Sequence, residues 1–256
     1  MENSIFVEGL QGSGKSTLIN RLAEKYPSSK VYHEGDYALT ELAWCAYVDE
    51  NTYRQILRKY PTLQDKIEEN TTREEDFCVV TYTKIRTDIV GFHQDLEQYE
   101  IYNGNLSEEA FQKVVLSRYE QWNGEGEIFE CALFQNIIEN MILYLQMEDE
   151  KILEFYRRLY QVIGKKKLTI LYLDAEDIRT SIEVIKKERC DENGVELWFQ
   201  MMVKYIETSP YGQKCGLGGM EGLLTHLEKR KALEHRIISE VFNKETQIVK
   251  SKKYEI

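Results

Sequence analysis

The residues in this chain whose chemistry is most legible are nine near its amino end, Gly9-Leu10-Gln11-Gly12-Ser13-Gly14-Lys15-Ser16-Thr17. Their spacing, G-x-x-x-x-G-K-[ST], suits phosphate binding. The glycines let backbone N–H groups turn toward anionic oxygens, and a helix starting at the lysine presents its positive end. Lys15 can then reach β- and γ-phosphates, and Ser16 can hold Mg²⁺. Such a loop needs a strand before it and a helix after it. Ser4 to Glu8 reads as a short buried strand, and Leu18-Ile19 belong to an amphipathic helix running from about Lys15 to Tyr26, stopped by Pro27.

With strand, loop and helix in agreement, the stretch resembles the P-loop NTPase superfamily. Its short Gly-x-x-Gly-x-Gly-Lys-Ser-Thr form looks most like small-molecule kinases of the nucleoside and nucleotide type. The resemblance implies an α/β fold, a P-loop kinase-like three-layer domain with a parallel sheet and inserted helical substrate and lid regions. It also implies ATP as donor with Mg²⁺, held by Gly9, Gly12, Ser13, Gly14, Lys15, Ser16 and Thr17. The motif does not read the acceptor.

Acids at the ends of neighbouring strands come next. A strand over Lys30 to His33 places Glu34, Gly35 and Asp36 beyond its carboxyl end, the edge where open α/β sheets bind ligands. A carboxylate there can take a proton from a substrate hydroxyl, orient it, or hold Mg²⁺ through water. Deoxynucleoside kinases have a catalytic acid at a similar place, which Glu34 or Asp36 resembles. An acidic turn with Asp36 as N-cap of a following helix accounts for the same residues. Glu127 to Asn136 reads as a strand turning sharply into a helix, and Glu130 resembles the acid that coordinates Mg²⁺ opposite the loop serine. It also resembles the residue opening the Glu-Arg-Ser segment of nucleoside kinases. Cys131 stands where that pattern has arginine, a departure that counts against a standard nucleoside or nucleoside-monophosphate acceptor unless Arg86 or a lid arginine supplies the charge.

Two groups of cations are placed to do so. Lys84 and Arg86 follow Phe77 to Tyr82, an apolar run that fits a strand or a buried helix start. They can meet an anionic acceptor or the transferring phosphoryl, or pair with local carboxylates; a planar guanidinium is the better phosphate ligand. Leu168 to Leu173 reads as a buried strand, after which Asp174 opens a helix carrying Arg179, Lys186 and Arg189. By placement and composition these resemble a kinase lid, in which arriving cations neutralise the transferring group and exclude water. A surface helix with a basic carboxyl end explains Lys186 and Lys187 equally.

These elements fit one P-loop kinase-like domain over 1–256, with a helical substrate-binding insertion over 38–125 and a lid over 174–220. Residues 38–60 are helical in pattern, 63–75 add a charged helix, Ser107 caps another, and Thr246 to Val249 supplies a last strand. A chain of 256 residues with 42% apolar and 30% charged residues is globular, and its net charge of -11 argues against a general nucleic-acid surface. Cys45, Cys78, Cys131, Cys190 and Cys215 form no C-x-x-C pair, as in a reduced cytoplasmic protein. No apolar run reaches membrane length, and neither signal peptide nor membrane span is expected. The sequence therefore points to a cytoplasmic, ATP- and Mg²⁺-dependent kinase with a small-molecule phosphoryl acceptor. A partner-regulated P-loop ATPase and a nucleotide-binding regulator without turnover are the other readings. The sequence leaves the oligomeric state open.

Overall fold

The structure, a computed structural model, describes residues 2–251. Two compact units make up the chain. Met1–Val31 joins Asn123–Ile256 in the first, and Tyr32–Trp122 forms the second.

The first unit begins with strand β1 (Ser4–Gly9), every residue of which is buried, and helix α1 (Lys15–Lys25). Strand β2 (Val31–Tyr32) is where the chain leaves for the second unit.

In the second unit, β3 (Ala46–Asp49) leads into α2 (Glu50–Lys59), α3 (Gln64–Glu69), β4 (Thr71–Arg73) and β5 (Phe77–Val80). Two helices, α4 (Phe92–Glu97) and α5 (Glu108–Gln121), complete it. The strands form an antiparallel sheet in the order β3-β5-β4. This corrects the helical reading of 38–60, since nothing over 38–49 is helical and Ala46–Asp49 is a strand. The reason is periodicity of 2: Ala46 and Val48 turn into the core with Tyr53, Ile56 and Val80, whereas Tyr47 stacks diagonally on Phe77 across the sheet at 4.2 Å. The charged helix expected over 63–75 likewise ends at Glu69, and Thr71–Arg73 pairs with β5. Ser107 does cap α5, accepting from Ala110 N at 3.3 Å.

The chain returns to the first unit through β6 (Ile128–Glu130), α6 (Gln135–Glu139), a π-helical turn over Asn140–Tyr144 and α7 (Asp149–Ile163). Next come β7 (Leu168–Asp174), α8 (Ile178–Glu188), α9 (Leu197–Thr208), α10 (Pro210–Cys215), α11 (Gly219–Glu240) and β8 (Thr246–Lys250). The sheet order is β2-β6-β1-β7-β8, with β1 parallel to β6 and β7, and β7 parallel to β8. Because side chains alternate along β1, Ile5 and Val7 pack under Leu18, Ile19 and Leu22 of α1, while Phe6 faces the other way and stacks on Phe129 at 4.8 Å. That second face is covered by α7 through Tyr156, which meets Phe134 and Phe242, and by α11 through His235, whose ring lies 5.3 Å from that of Tyr172. Each buried apolar side chain of α1 contributes about 1.5–3 kcal/mol. Helices on both faces of a parallel sheet make this the α/β, P-loop kinase-like fold class that the sequence implied. No helix among the described residues is long and apolar enough to cross a membrane.

Candidate nucleotide site

The loop between β1 and α1 depends on close backbone approach. At Gly9, φ is +135° and a Cβ would lie 2.6 Å from the Leu173 carbonyl oxygen of β7, so only glycine lets these backbones meet. Gly14, at φ 95°, is the N-cap of α1 and brings no side chain to the first turn. The first N–H groups of α1 can therefore serve an anion. Lys15 is buried, and its ammonium donates to the carbonyls of Gly9 (2.8 Å) and Leu10 (2.9 Å), folded along the loop it serves. Ser13 Oγ is buried without a hydrogen-bond partner on the inner side of the same loop. The loop is also held from the far end of the sheet, where Ser251, just after β8, donates its hydroxyl to Ser13 O at 2.8 Å.

Parallel pairing sets Val7 beside Glu130 and thereby brings the end of β6 to the foot of α1. There the Ser16 hydroxyl donates to Glu130 Oε1 at 2.6 Å, joining residues 114 apart in sequence. A hydroxyl and a carboxylate are the hard oxygen donors Mg²⁺ takes, and Mg²⁺ sites use one or two protein oxygens alongside phosphate and water. The donor set at Ser16 and Glu130 thus fits Mg²⁺, and the loop amides with Lys15 fit phosphates.

Two features here escaped the sequence reading. Cys131, directly after Glu130, is buried with φ +60°, a left-handed conformation that favours glycine. Glu8, beside the loop in β1, is buried, and its carboxyl accepts from the backbone N–H groups of Leu133 (2.7 Å) and Gln135 (3.4 Å). Burial pushes Glu8 up to about 8, against those two hydrogen bonds. A glutamate closing an otherwise apolar strand was the signal available in the sequence.

Nearby, Gln11 Nε2 donates at 3.4 Å to Glu139 of α6, which also binds His226 Nε2 (2.5 Å) and Arg230 of α11. Burial raises the Glu139 carboxyl, but the charges of His226 and Arg230 outweigh it and hold it down at about 2. Arg230 is fully buried and also meets Glu234 at 3.0 Å.

The cations assigned to the lid lie on and after α8. Arg179 makes a two-pronged contact with Glu221 of α11 at 2.7 and 2.8 Å, on the wall of an open cavity of about 550 Å³ that Asp177, Glu228 and Lys231 also line. Arg189 lies over the Trp198 ring at 5.5 Å, and Lys186 over Phe199 at 4.4 Å.

Glu34, Asp36 and Arg86 belong to the second unit. Glu34 is exposed. Asp36 accepts from His33 N at 2.7 Å and pairs with Lys84, so it closes its own turn, and no helix begins there for it to cap. Arg86 is exposed, and its backbone carbonyl accepts from Lys66 Nζ at 3.0 Å. The buried cation of this unit is Arg118 of α5, bound to Glu74 and the Ala38 carbonyl and facing the rings of Tyr37 and Tyr47.

No protein-family model matches this chain. No curated protein matches it either. Among solved structures it is similar to a deoxyadenosine kinase from M. mycoides with bound dATP, at 14% identity and a TM-score of 0.37 over 98% of this chain and 92% of that one.

Proposed function

We propose that the chain transfers the γ-phosphoryl group of ATP to a small-molecule acceptor, with nucleosides and nucleotides as the first class to test. The observation that carries this reading is the Ser16–Glu130 pair beside a glycine-rich loop whose lysine is buried along it. Bound Mg²⁺ would supply charge neutralisation at the β- and γ-phosphate oxygens. Ser16 and Glu130 hold it; Lys15 and the first N–H groups of α1 hold the phosphates.

On the acceptor side, the reading assigns Glu34 to orient a hydroxyl and take its proton as oxygen attacks the γ-phosphorus and the bond to ADP breaks. Asp36 is the alternative for the same role, and there Lys84 and the His33 N–H would have to give way on its carboxylate. Arg86, Arg179 and Arg189 are the cations proposed to balance the transferring charge. For Arg179 this requires exchanging Glu221 for phosphate oxygens, and for Arg189 leaving the Trp198 ring. The Tyr32–Trp122 unit is the proposed acceptor-binding insertion, and 174–220 the proposed lid.

The test is a transfer screen over nucleosides, nucleoside monophosphates and hydroxyl-bearing antibiotics with ATP and Mg²⁺, read by product mass. ADP is expected in step with a phosphorylated acceptor, and Lys15→Ala should abolish both. ADP formed at the same rate with every acceptor, and no phosphorylated product, would reject the kinase reading in favour of an ATPase switch.

A further inference from the structure

The turn that follows Glu130 is an improbable shape for its sequence. Cys131 sits at φ +60°, where an L side chain crowds its own backbone. Such a conformation costs about 1–3 kcal/mol and persists only when its surroundings over-determine it. Two consecutive residues of β1 contribute to those surroundings. Val7 O accepts from Cys131 N at 3.2 Å, and the Glu8 carboxyl accepts from Leu133 N at 2.7 Å and Gln135 N at 3.4 Å. The first contact continues the parallel ladder, in which Val7 is the partner of Glu130. The other two lie beyond it and depend on a side chain.

That side chain is unusual in place and in partners. Glu8 is fully buried on the sheet face opposite α1, one residue before Gly9. Leu133 and Gln135 bracket the start of α6, whose cap residue Phe134 provides no side-chain hydrogen bond. Glu8 thus supplies from β1 the oxygen acceptors that α6 lacks locally. It joins the strand that leads into the phosphate loop to the turn that leaves Glu130.

We infer that Glu8 is a positioning residue for the Mg²⁺ pair: through Leu133 and Gln135 it fixes the turn after Glu130 and so holds Glu130 Oε1 at Ser16. The inference rests on the assignment of Ser16 and Glu130 to Mg²⁺. Glu8 touches neither phosphate nor metal in this role. Partners that orient a metal ligand from behind change metal affinity by about 10–100-fold when removed.

The experiment measures binding of a fluorescent ATP analogue against Mg²⁺ concentration, and again in EDTA, for the native chain, Glu130→Gln, Glu8→Ala and Glu8→Gln. Glu8→Ala should raise the Mg²⁺ concentration for half-maximal enhancement by about 10–100-fold, with affinity in EDTA unchanged. Glu8→Gln should recover most of that shift, because its amide oxygen still accepts from Leu133 N and only the Gln135 contact is lost. A role confined to folding would lower thermal stability and leave the Mg²⁺ midpoint alone, which would overturn the inference. Equal losses with and without Mg²⁺ would overturn it as well. If the native chain shows no Mg²⁺ dependence, or Glu130→Gln leaves it intact, the metal assignment itself falls and takes this inference with it. If both Glu8 variants fail to fold, amide exchange in the native chain decides. Protected Leu133 and Gln135 amides whose protection increases with Mg²⁺ and nucleotide support the brace, and amides that exchange as freely as exposed ones refute it.

Discussion

Replacing Glu139 with glutamine should unfold the chain at markedly lower urea. Glu139 is buried on α6 and receives His226 Nε2 and the Arg230 guanidinium from α11, neither of which can reach water. Its carboxyl lies at about 2 in the folded state against an ordinary 4.5. At about 1.4 kcal/mol per pKa unit, that difference corresponds to about 3 kcal/mol of preference for the charged form. Removing one partner of a buried pair costs about 3–5 kcal/mol, chiefly because the other charge is stranded. Glu139→Gln is therefore expected to cost about 3–5 kcal/mol at pH 7, seen as a lower urea midpoint with an unchanged slope. Glu234 still faces Arg230, which limits the loss. Glu139→Leu combined with Arg230→Met should cost less than the two single changes added together, since the charge that each single change strands opposite the other is then removed, although Glu234 loses Arg230 and keeps the Tyr172 hydroxyl. The sign with pH is also determined. The contribution of Glu139 is complete above about pH 4.5 and declines as pH falls toward 2. A single-variant loss under about 1 kcal/mol, or a double variant as costly as the sum, would refute the stranded-charge argument.

Two other outcomes follow from the structure. Gly9→Ala forces a methyl group against a backbone oxygen at 2.6 Å and should cost at least about 2 kcal/mol and weaken nucleotide binding, as measured by thermal melting with and without ATP; a neutral substitution would mean the β1–β7 approach is looser than described. Glu8 and Glu100 are held protonated by burial, up to about 8 and about 7, so folding takes up protons and stability should fall as pH rises from 4.5 through those values; urea titrations of Glu8→Gln and Glu100→Gln against the native chain should converge on a shallower slope, and an unchanged slope would count against both assignments.

The loop between β1 and α1 was readable in shape because one local pattern states its own requirements: glycines for backbone approach, with strand and helix on either side. The place of Glu130 was readable for a related reason, since it closes a short apolar strand next to a sharp turn, and the structure sets it within a hydrogen bond of Ser16. The Glu8, Glu139 and Arg230 contacts were not. Their partners lie 125, 87 and 91 residues away, and nothing in the local sequence distinguishes a buried charge from a solvated one. Arg118 is hidden in the same way on an ordinary-looking helix. The sheet of the second unit was misread because Leu42, Ala43, Ala46 and Tyr47 satisfy helical spacing, while the alternation that matters begins only at Ala46 and spans four residues. Short strands offer too few periods to outvote a helix.

The hydrogen bond from Ser251 to Ser13 has a consequence for the order of assembly. It clasps the phosphate loop with a residue 238 positions downstream, and the strand that begins the loop is flanked by β6 and β7, both remote in sequence. Contacts of such separation are entropically expensive to close and tend to form late in folding. The loop is therefore made long before the strand that completes it, β8. The shape of the loop then reports whether β8 has docked, so a local feature of the β1–α1 turn depends on a distant strand.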